Sequence, residues 1–258
     1  MNTIHETAIV SPKAQLGNSI SIGPYTIVEE DVIIGNDCII GPHVAIYNGA
    51  RIGNNVKIYQ GASVANHPQD LKFAGEVSLF EVGDNTVIRE FATLHRGTVE
   101  SKTSKVGKNC LLMAYTHVAH DCIVGDNCIL ANCVQLGGHV EIEDWVIVGG
   151  ATVVHQFEKI GKHAMIGGGF RVTSDVPPFI LAAGEPLSYN GLNTIGLRRR
   201  GFSNEEIMKL KEIYSYVFSS EINLSQAKEK IAEKFPQDPL AESVLEFLNK
   251  SSRGIIKK

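Results

Sequence analysis

The residues able to do acid–base chemistry are concentrated in one short stretch. His117-Val118-Ala119-His120-Asp121 sets a histidine directly beside a carboxylate, and further histidines follow at His139 and His155. A histidine with a carboxylate neighbour suits general-base work, because the carboxylate orients the ring and stabilises the imidazolium that forms. Gly137 and Gly138 precede His139. Bare glycines let a substrate approach the main chain, where a free N–H stabilises an oxyanion. No serine or cysteine nucleophile with a base is evident here. Direct attack by a substrate hydroxyl on a thioester therefore fits better than covalent catalysis.

These positions converge only if the chain is wound with a fixed period. A branched aliphatic residue recurs every six places at Val10, Leu16, Ile22, Val28, Ile34, Ile40, Ile46, Ile52, Ile58 and Val64. The register resumes at Val82, Ile88 and Leu94, and runs again from Val106 to Val172. A period of six is neither the 3.6 of a helix nor the alternation of a plain strand. It marks a parallel β-helix with one short strand and one corner per hexad. The small residue four places on, as at Ala62, Thr86, Cys122, Cys128 and Val140, is expected to pack inside. The glycine that often follows the aliphatic residue, as at Gly35 or Gly125, is expected to relieve the turn. Cys38, Cys110, Cys122 and Cys128 occupy the small interior place and Cys133 lies one place earlier. With no CxxC, packing is expected of them rather than metal or redox work.

Resemblance to known hexapeptide-repeat proteins implies three hexads per coil and a left hand; the period alone gives neither. An eighteen-residue coil stacks Ala119-His120-Asp121 under Gly137-Gly138-His139, and that under His155-Gln156-Phe157, with coils about 4.8 Å apart. One edge then presents His120, Asp121, His139, His155 and Gln156, with His117 around the corner. Polar residues must face outward in a solenoid, so one such histidine means little. Four of nine histidines around two bare glycines favour a functional surface.

Two segments, 65–81 and 98–105, lack the pattern but keep its phase, so they read as loops projecting from an unbroken solenoid over residues 1–178. The repeat stops at Asp175-Val176-Pro177-Pro178. A connector over 179–202 and a helical domain over 203–258 are expected next. Ser203 with Glu206 forms a capping box, Ile207, Leu210, Tyr214 and Val217 make an apolar stripe, and Asp238-Pro239 starts a last helix. Three helices after residue 202 would cover the open end of the solenoid.

The 258 residues are 20% charged and 43% hydrophobic, which excludes wholesale disorder. No run approaches the 18 or so apolar residues of a membrane span. Met1-Asn2-Thr3-Ile4-His5-Glu6 has neither a basic nor an apolar signal region, so the cytoplasm is the expected compartment. The net charge of −4 divides into −7 over residues 1–197 and +3 from Arg198 onward. A basic tail suggests an acidic protein partner, although so small a shift is more often solvated helix surface. No nucleic-acid partner is expected.

Asn66-His67-Pro68-Gln69-Asp70-Leu71-Lys72, Leu94-His95-Arg96-Gly97-Thr98, His117-Val118-Ala119-His120-Asp121 and His155-Gln156-Phe157 resemble the UDP-N-acetylglucosamine acyltransferase family. So do Asp175-Val176-Pro177-Pro178 and Gly196-Leu197-Arg198-Arg199-Arg200-Gly201-Phe202-Ser203. The resemblance implies a homotrimer with sites between subunits, no cofactor and no metal. It implies that His120 takes a proton from the 3-hydroxyl of UDP-N-acetylglucosamine as this attacks a 3-hydroxyacyl thioester on acyl carrier protein, the first step of lipid A synthesis. Asp121 would orient His120, and the Gly138 N–H would hold the oxyanion. Asp70, Lys72, His117, His139, His155 and Gln156 match substrate-contacting positions, and Asn193, Arg199 and Arg200 match nucleotide- and phosphate-side positions. Gly168 matches the position that measures acyl length, which implies a deep slot and a preference for long chains. The chain departs from the family at Ile195, where an acidic residue is common.

Three alternatives fit the sequence less well. The sister N-acyltransferase carries an additional N-terminal uridine-binding domain, for which repeats starting by residue 10 leave no room. A γ-class carbonic anhydrase uses intersubunit histidines as zinc ligands, but His117 and His120 lack its spacing. A purely structural solenoid predicts neither the His/Asp edge nor the long loops.

Overall fold

Each hexad contributes a strand of two residues whose second side chain is buried. His117–Val118, Gln135–Leu136 and Val153–Val154 show the pattern: Val118, Leu136 and Val154 are inside, and their neighbours face out. The computed structural model describes all residues, 1–258. Its solenoid strands form three parallel sheets of nine, nine and eight strands, in which each inner strand pairs with the third before and the third after it, and two later strands extend the first sheet to eleven. The register is eighteen residues where no loop intervenes, as in His117↔Gln135 and Gln135↔Val153. The architecture is a left-handed parallel β-helix with short C-terminal helices.

The small residue four places on is buried as well, at Cys122, Val140 and Val176. Four of the five cysteines are buried in this way and Cys133 is exposed; all five are free thiols. Burial pushes the Cys122 thiol up to about 12, so it is inert at neutral pH.

The turn glycines have a different reason from the one expected. Gly125 is not in the left-handed region; that conformation falls two places later, on residues such as Asp121, Asn127, His139, Trp145 and Phe157. A Cβ on Gly125 would instead lie 2.4 Å from Asp144 Oδ1 of the next coil. That oxygen accepts the Asp126 N–H at 2.7 Å. Asp126 accepts from Lys108 in the same way, and Asn54 and Asn36 repeat the contact lower down. Glycine is needed there for close approach of one coil to the next.

The two loops leave the solenoid and the hexad phase continues beyond them, with one local register shift between Val64 and Asn66 where the first loop departs. Ser63–Asn66 pairs with Thr93–His95, and Leu79–Val82 pairs with Thr103–Val106. Strand therefore resumes at Leu79 and at Thr103, inside both segments expected to be loop. The first loop is held from below by Arg96, whose guanidinium lies 5.5 Å from the Phe73 ring and donates to Asn48 O at 2.7 Å.

Residues 179–202, expected as a connector, are regular structure. Strand Ile180–Ala183 pairs in parallel with Met165–Ile166, adding one more rung to the first sheet, and Ser188–Leu192 folds back on it antiparallel. Helix α1 (Thr194–Arg199) follows, then α2 (Asn204–Val217), α3 (Leu224–Lys234) and α4 (Pro239–Lys250). Ser203 and Glu206 make the expected capping box. The α2 stripe Ile207, Leu210, Tyr214 and Val217 is buried, and the Tyr214 hydroxyl donates to Pro178 O at 2.5 Å. Helix and solenoid side chains belong to one continuous core of 58 buried residues, so the helical end is packed onto the solenoid. No helix is long and apolar enough to cross a membrane.

Candidate active site

The corner after the second sheet places the chemistry. His117 opens the two-residue strand that Val118 ends, on the outer face of that sheet, and the chain turns through Ala119, His120 and Asp121 before the third sheet. The turn requires a positive φ at Asp121 (+59°) and again at His139 (+62°), a region that Asp, Asn and His tolerate better than branched residues. Corners stack directly, with His139 N–H donating to His120 O and Phe157 N–H to Gly138 O, both at 3.1 Å.

His120 Nδ1 lies 2.8 Å from Asp121 Oδ2. The Asp121 side chain is fully buried, whereas that of His120 keeps 15% exposure on an open edge. Burial alone would raise the Asp121 carboxyl, but hydrogen bonds from Ser101, His120 and both the N–H and hydroxyl of Thr98 outweigh it and hold it at about 2. Asp121 is therefore an anion throughout the physiological range. His120 lies against Gly138, whose N–H donates to no group of the chain. A histidine oriented by an anion, with a free main-chain donor one coil away, has the parts of a base and an oxyanion site.

His139 joins this pair. Its ring meets His120 edge-on at 5.2 Å, stacks on Phe157 at 4.5 Å, and sets Nε2 3.6 Å from both Asp121 Oδ2 and Glu100 Oε2. His117 is a neutral ring: burial, then the neighbouring His95 and His120, lower it to about 4. Its Nδ1 is 2.7 Å from Thr93 Oγ1, and it packs edge-on against the buried His95 at 5.0 Å. His155 and Gln156 stand exposed on the next corner, His155 Nδ1 lying 3.1 Å from Gln156 O. Ligating atoms of His120, Asp121 and His139 lie within 4.8 Å of one another, a spacing that a divalent cation can use. Asp121 Oδ2 and His120 Nδ1 are already committed to each other.

Comparisons with known proteins identify the family. Over the whole of both chains, the sequence is 47% identical to the acyl–acyl-carrier-protein–UDP-N-acetylglucosamine O-acyltransferase of Thiobacillus denitrificans. The chain belongs to the UDP-N-acetylglucosamine O-acyltransferase family. The family model for its second domain matches residues 175–256, and the bacterial transferase hexapeptide model matches 13–48, 31–66 and 103–138. The UDP-N-acetylglucosamine acyltransferase of Bacteroides fragilis superposes with a TM-score of 0.96 at 41% identity, over 99% of this chain and all of that one. That of Francisella novicida gives 0.97 at 38% identity, over 99% and 94%.

The other residues picked out by resemblance to the family are distributed over the first loop, the Gly168 corner and the C-terminal region. Asp70 and Lys72 sit on the first loop, joined by an Asp70 Oδ1 contact from the Lys72 N–H at 3.0 Å. Gly168 stands on the corner at the opposite edge of the second sheet, where a Cβ would lie 3.0 Å from Gly150 O. Asn193 is buried: it donates to His163 O at 3.0 Å and caps α1 by accepting from Gly196 N–H. Arg200 lies over the Trp145 ring at 5.2 Å and beside His163 Nδ1 at 3.3 Å. Arg199 and Ile195 are exposed on α1. Thr98 is named only within a family-like string, and Ser101 and Ser104, which complete the surroundings of Asp121, are short hydroxyl residues that carry no distinctive signal in the sequence.

Proposed function

We propose that the chain transfers a 3-hydroxyacyl group from acyl carrier protein to the 3-hydroxyl of UDP-N-acetylglucosamine, opening lipid A synthesis. The observation that carries this reading is the His120–Asp121 pair facing the unpaired Gly138 N–H. The sugar hydroxyl attacks the thioester carbonyl as His120 Nε2 takes its proton. The Gly138 N–H stabilises the oxyanion, the carbon–sulfur bond breaks, and His120 returns the proton to the departing thiolate. The reaction needs no cofactor and no metal. Asp70, Lys72, His117, His139, His155 and Gln156 line the substrate side, with Asn193, Arg199 and Arg200 towards the nucleotide and phosphates, and Gly168 at the end of the acyl slot.

The working unit is a homotrimer in the cytoplasm. An edge on which His120 stays partly open cannot by itself enclose a nucleotide and an acyl chain, so a neighbouring copy supplies the second wall. Mass spectrometry of the product from UDP-N-acetylglucosamine and a panel of acyl carrier protein thioesters tests the reaction. The expected product is the 3-O-acylated nucleotide sugar, formed equally well with chelator present. No acyl transfer from any thioester, or an active monomer in sedimentation, would overturn this reading.

A further inference from the structure

Asp121 has no exposed side-chain surface, so its charge must be met wholly by protein groups. A carboxylate offers about four lone-pair sites. Oδ1 accepts the Thr98 N–H at 2.8 Å and the Ser101 hydroxyl. Oδ2 accepts the Thr98 hydroxyl at 2.8 Å and faces His120 Nδ1, also at 2.8 Å. Ser101 Oγ lies 3.0 Å from Thr103 O as well, but its one proton goes to the charged acceptor. Ser104 Oγ accepts the Asp121 N–H at 2.7 Å and fixes the strained main chain beneath. Three of the four sites are thus filled from the loop at 97–102, leaving one, and His120 takes it.

We propose that Thr98 and Ser101 are positioning residues: they saturate Asp121 so that His120 can only donate to it from Nδ1, which leaves Nε2 bare as the base. This deepens the acyl-transfer reading above and rests on it for the role of Nε2. With its lone pairs filled, Asp121 has no place for the His120 proton, and it acts as a fixed anion rather than a proton acceptor. The same saturation explains His139. Its Nε2 stops at 3.6 Å from Oδ2, outside hydrogen-bond range, and remains available to a ligand. The loop at 97–102 is then the device that chooses the tautomer of a histidine twenty residues away in sequence.

The test reads the tautomer directly, by nitrogen NMR of histidine side chains in the substrate-free full chain, with the His120 signals assigned by their loss in His120→Ala. The unsubstituted protein is expected to show a protonated Nδ1 and a bare Nε2. Thr98→Val with Ser101→Ala should give mixed tautomers and a kcat lower by about ten- to a hundredfold, with KM for the nucleotide sugar unchanged. Thr98→Ser, which keeps both donors, should restore the single tautomer. Ser101→Ala alone removes an exposed side chain and keeps the fold; it should shift the tautomer part-way. An unchanged His120 tautomer in Ser101→Ala and in the double variant overturns the proposal. A shifted tautomer in a protein that acylates nothing would support the loop's role and refute the reaction instead.

Discussion

The His120 ring occupies the place that a side chain on Gly138 would need. A Cβ there would fall 2.6 Å from His120 Cε1 and 2.7 Å from Nε2, closer than real Cβ contacts come. The two residues stand eighteen apart in sequence on adjacent coils, so the base and the oxyanion donor are set against each other by the winding of the solenoid. Gly138→Ala keeps the N–H but must push the ring away. We expect kcat to fall about a hundredfold with little change in melting temperature. His120→Ala should fold normally and lose about 10²–10⁴ in rate. Retention of more than about a tenth of the original kcat by His120→Ala would remove His120 from the role of base.

Stability should fall with acid in two stages. His117 and His163 are both held at about 4, chiefly by burial, against an ordinary value near 6.5. Folding favours their neutral form, so nothing is lost above about pH 6.5 and stability declines as pH falls from there to about 4. Asp121 works at the lower end: its lowered carboxyl contributes above about pH 4, and that contribution is lost as pH falls towards 2. His163 stacks between Trp145 and Phe179. His163→Phe should keep that stack and reduce the slope of unfolding free energy against pH, between 6.5 and 4, by up to about 1.4 kcal/mol per pH unit. An identical slope in denaturant titrations across that window would show that His163 does not carry the effect.

Acyl length should answer to Gly168. The corner is bare, with Gly167 and Gly169 on either side, and each additional buried methylene is worth about 0.8 kcal/mol. Long 3-hydroxyacyl donors should therefore be preferred. Gly168→Met should move the optimum to shorter chains, since a filled slot rejects the longer chain by sterics. The comparison is kcat/KM over a chain-length series for both proteins, and an unmoved optimum would leave Gly168 with no part in selection.

The basic tail offers a docking test once one residue is set aside. Arg253 Nε lies 3.3 Å from the buried Glu158 Oε1, so reversing it would place a second carboxylate beside the first. Lys257 and Lys258 are exposed. Reversing both should raise KM for the carrier-bound donor about fivefold at low salt, leave KM for the nucleotide sugar alone, and fade as salt rises. Equal KM values at low salt would sink it.

The solenoid was legible because its constraint is repeated and unforgiving: one buried residue every six places, seen at Val118, Leu136 and Val154 as plainly as at Ile22 or Ile40. The stacking of His120 under Gly138 follows from the same count. Other features leave no periodic trace. Ile180–Ala183 continues the first sheet beyond Pro177-Pro178, where the hexad pattern is already broken, so the hairpin passed for a connector. Asn193 matches a nucleotide-side position by resemblance, and its additional part as the cap of α1 left no sign in the sequence. Glu158 carries a visible signal in the sequence. It holds the small interior place taken by Cys122, Val140 and Val176 elsewhere, and a carboxylate there calls for a counter-charge; the partly exposed Arg253 lies 3.3 Å away, and neither carboxylate oxygen accepts a hydrogen bond.

The two ends of the solenoid are unlike, and this sets the order in which it comes apart. Thr3–Ile4 and Ile9–Val10 form the first rungs of their sheets and pair on one side alone, and Ile4 and Ile9 are exposed. The far end is closed by the Ile180–Leu192 hairpin and the helices packed on it. A stack whose layers touch only their neighbours frays from its free end. Heat or denaturant should therefore peel the N-terminal coils first. The corner bearing His120, Gly138 and Gln156 lies towards the closed end, among the last layers to open, so the working geometry should outlast the first losses of structure.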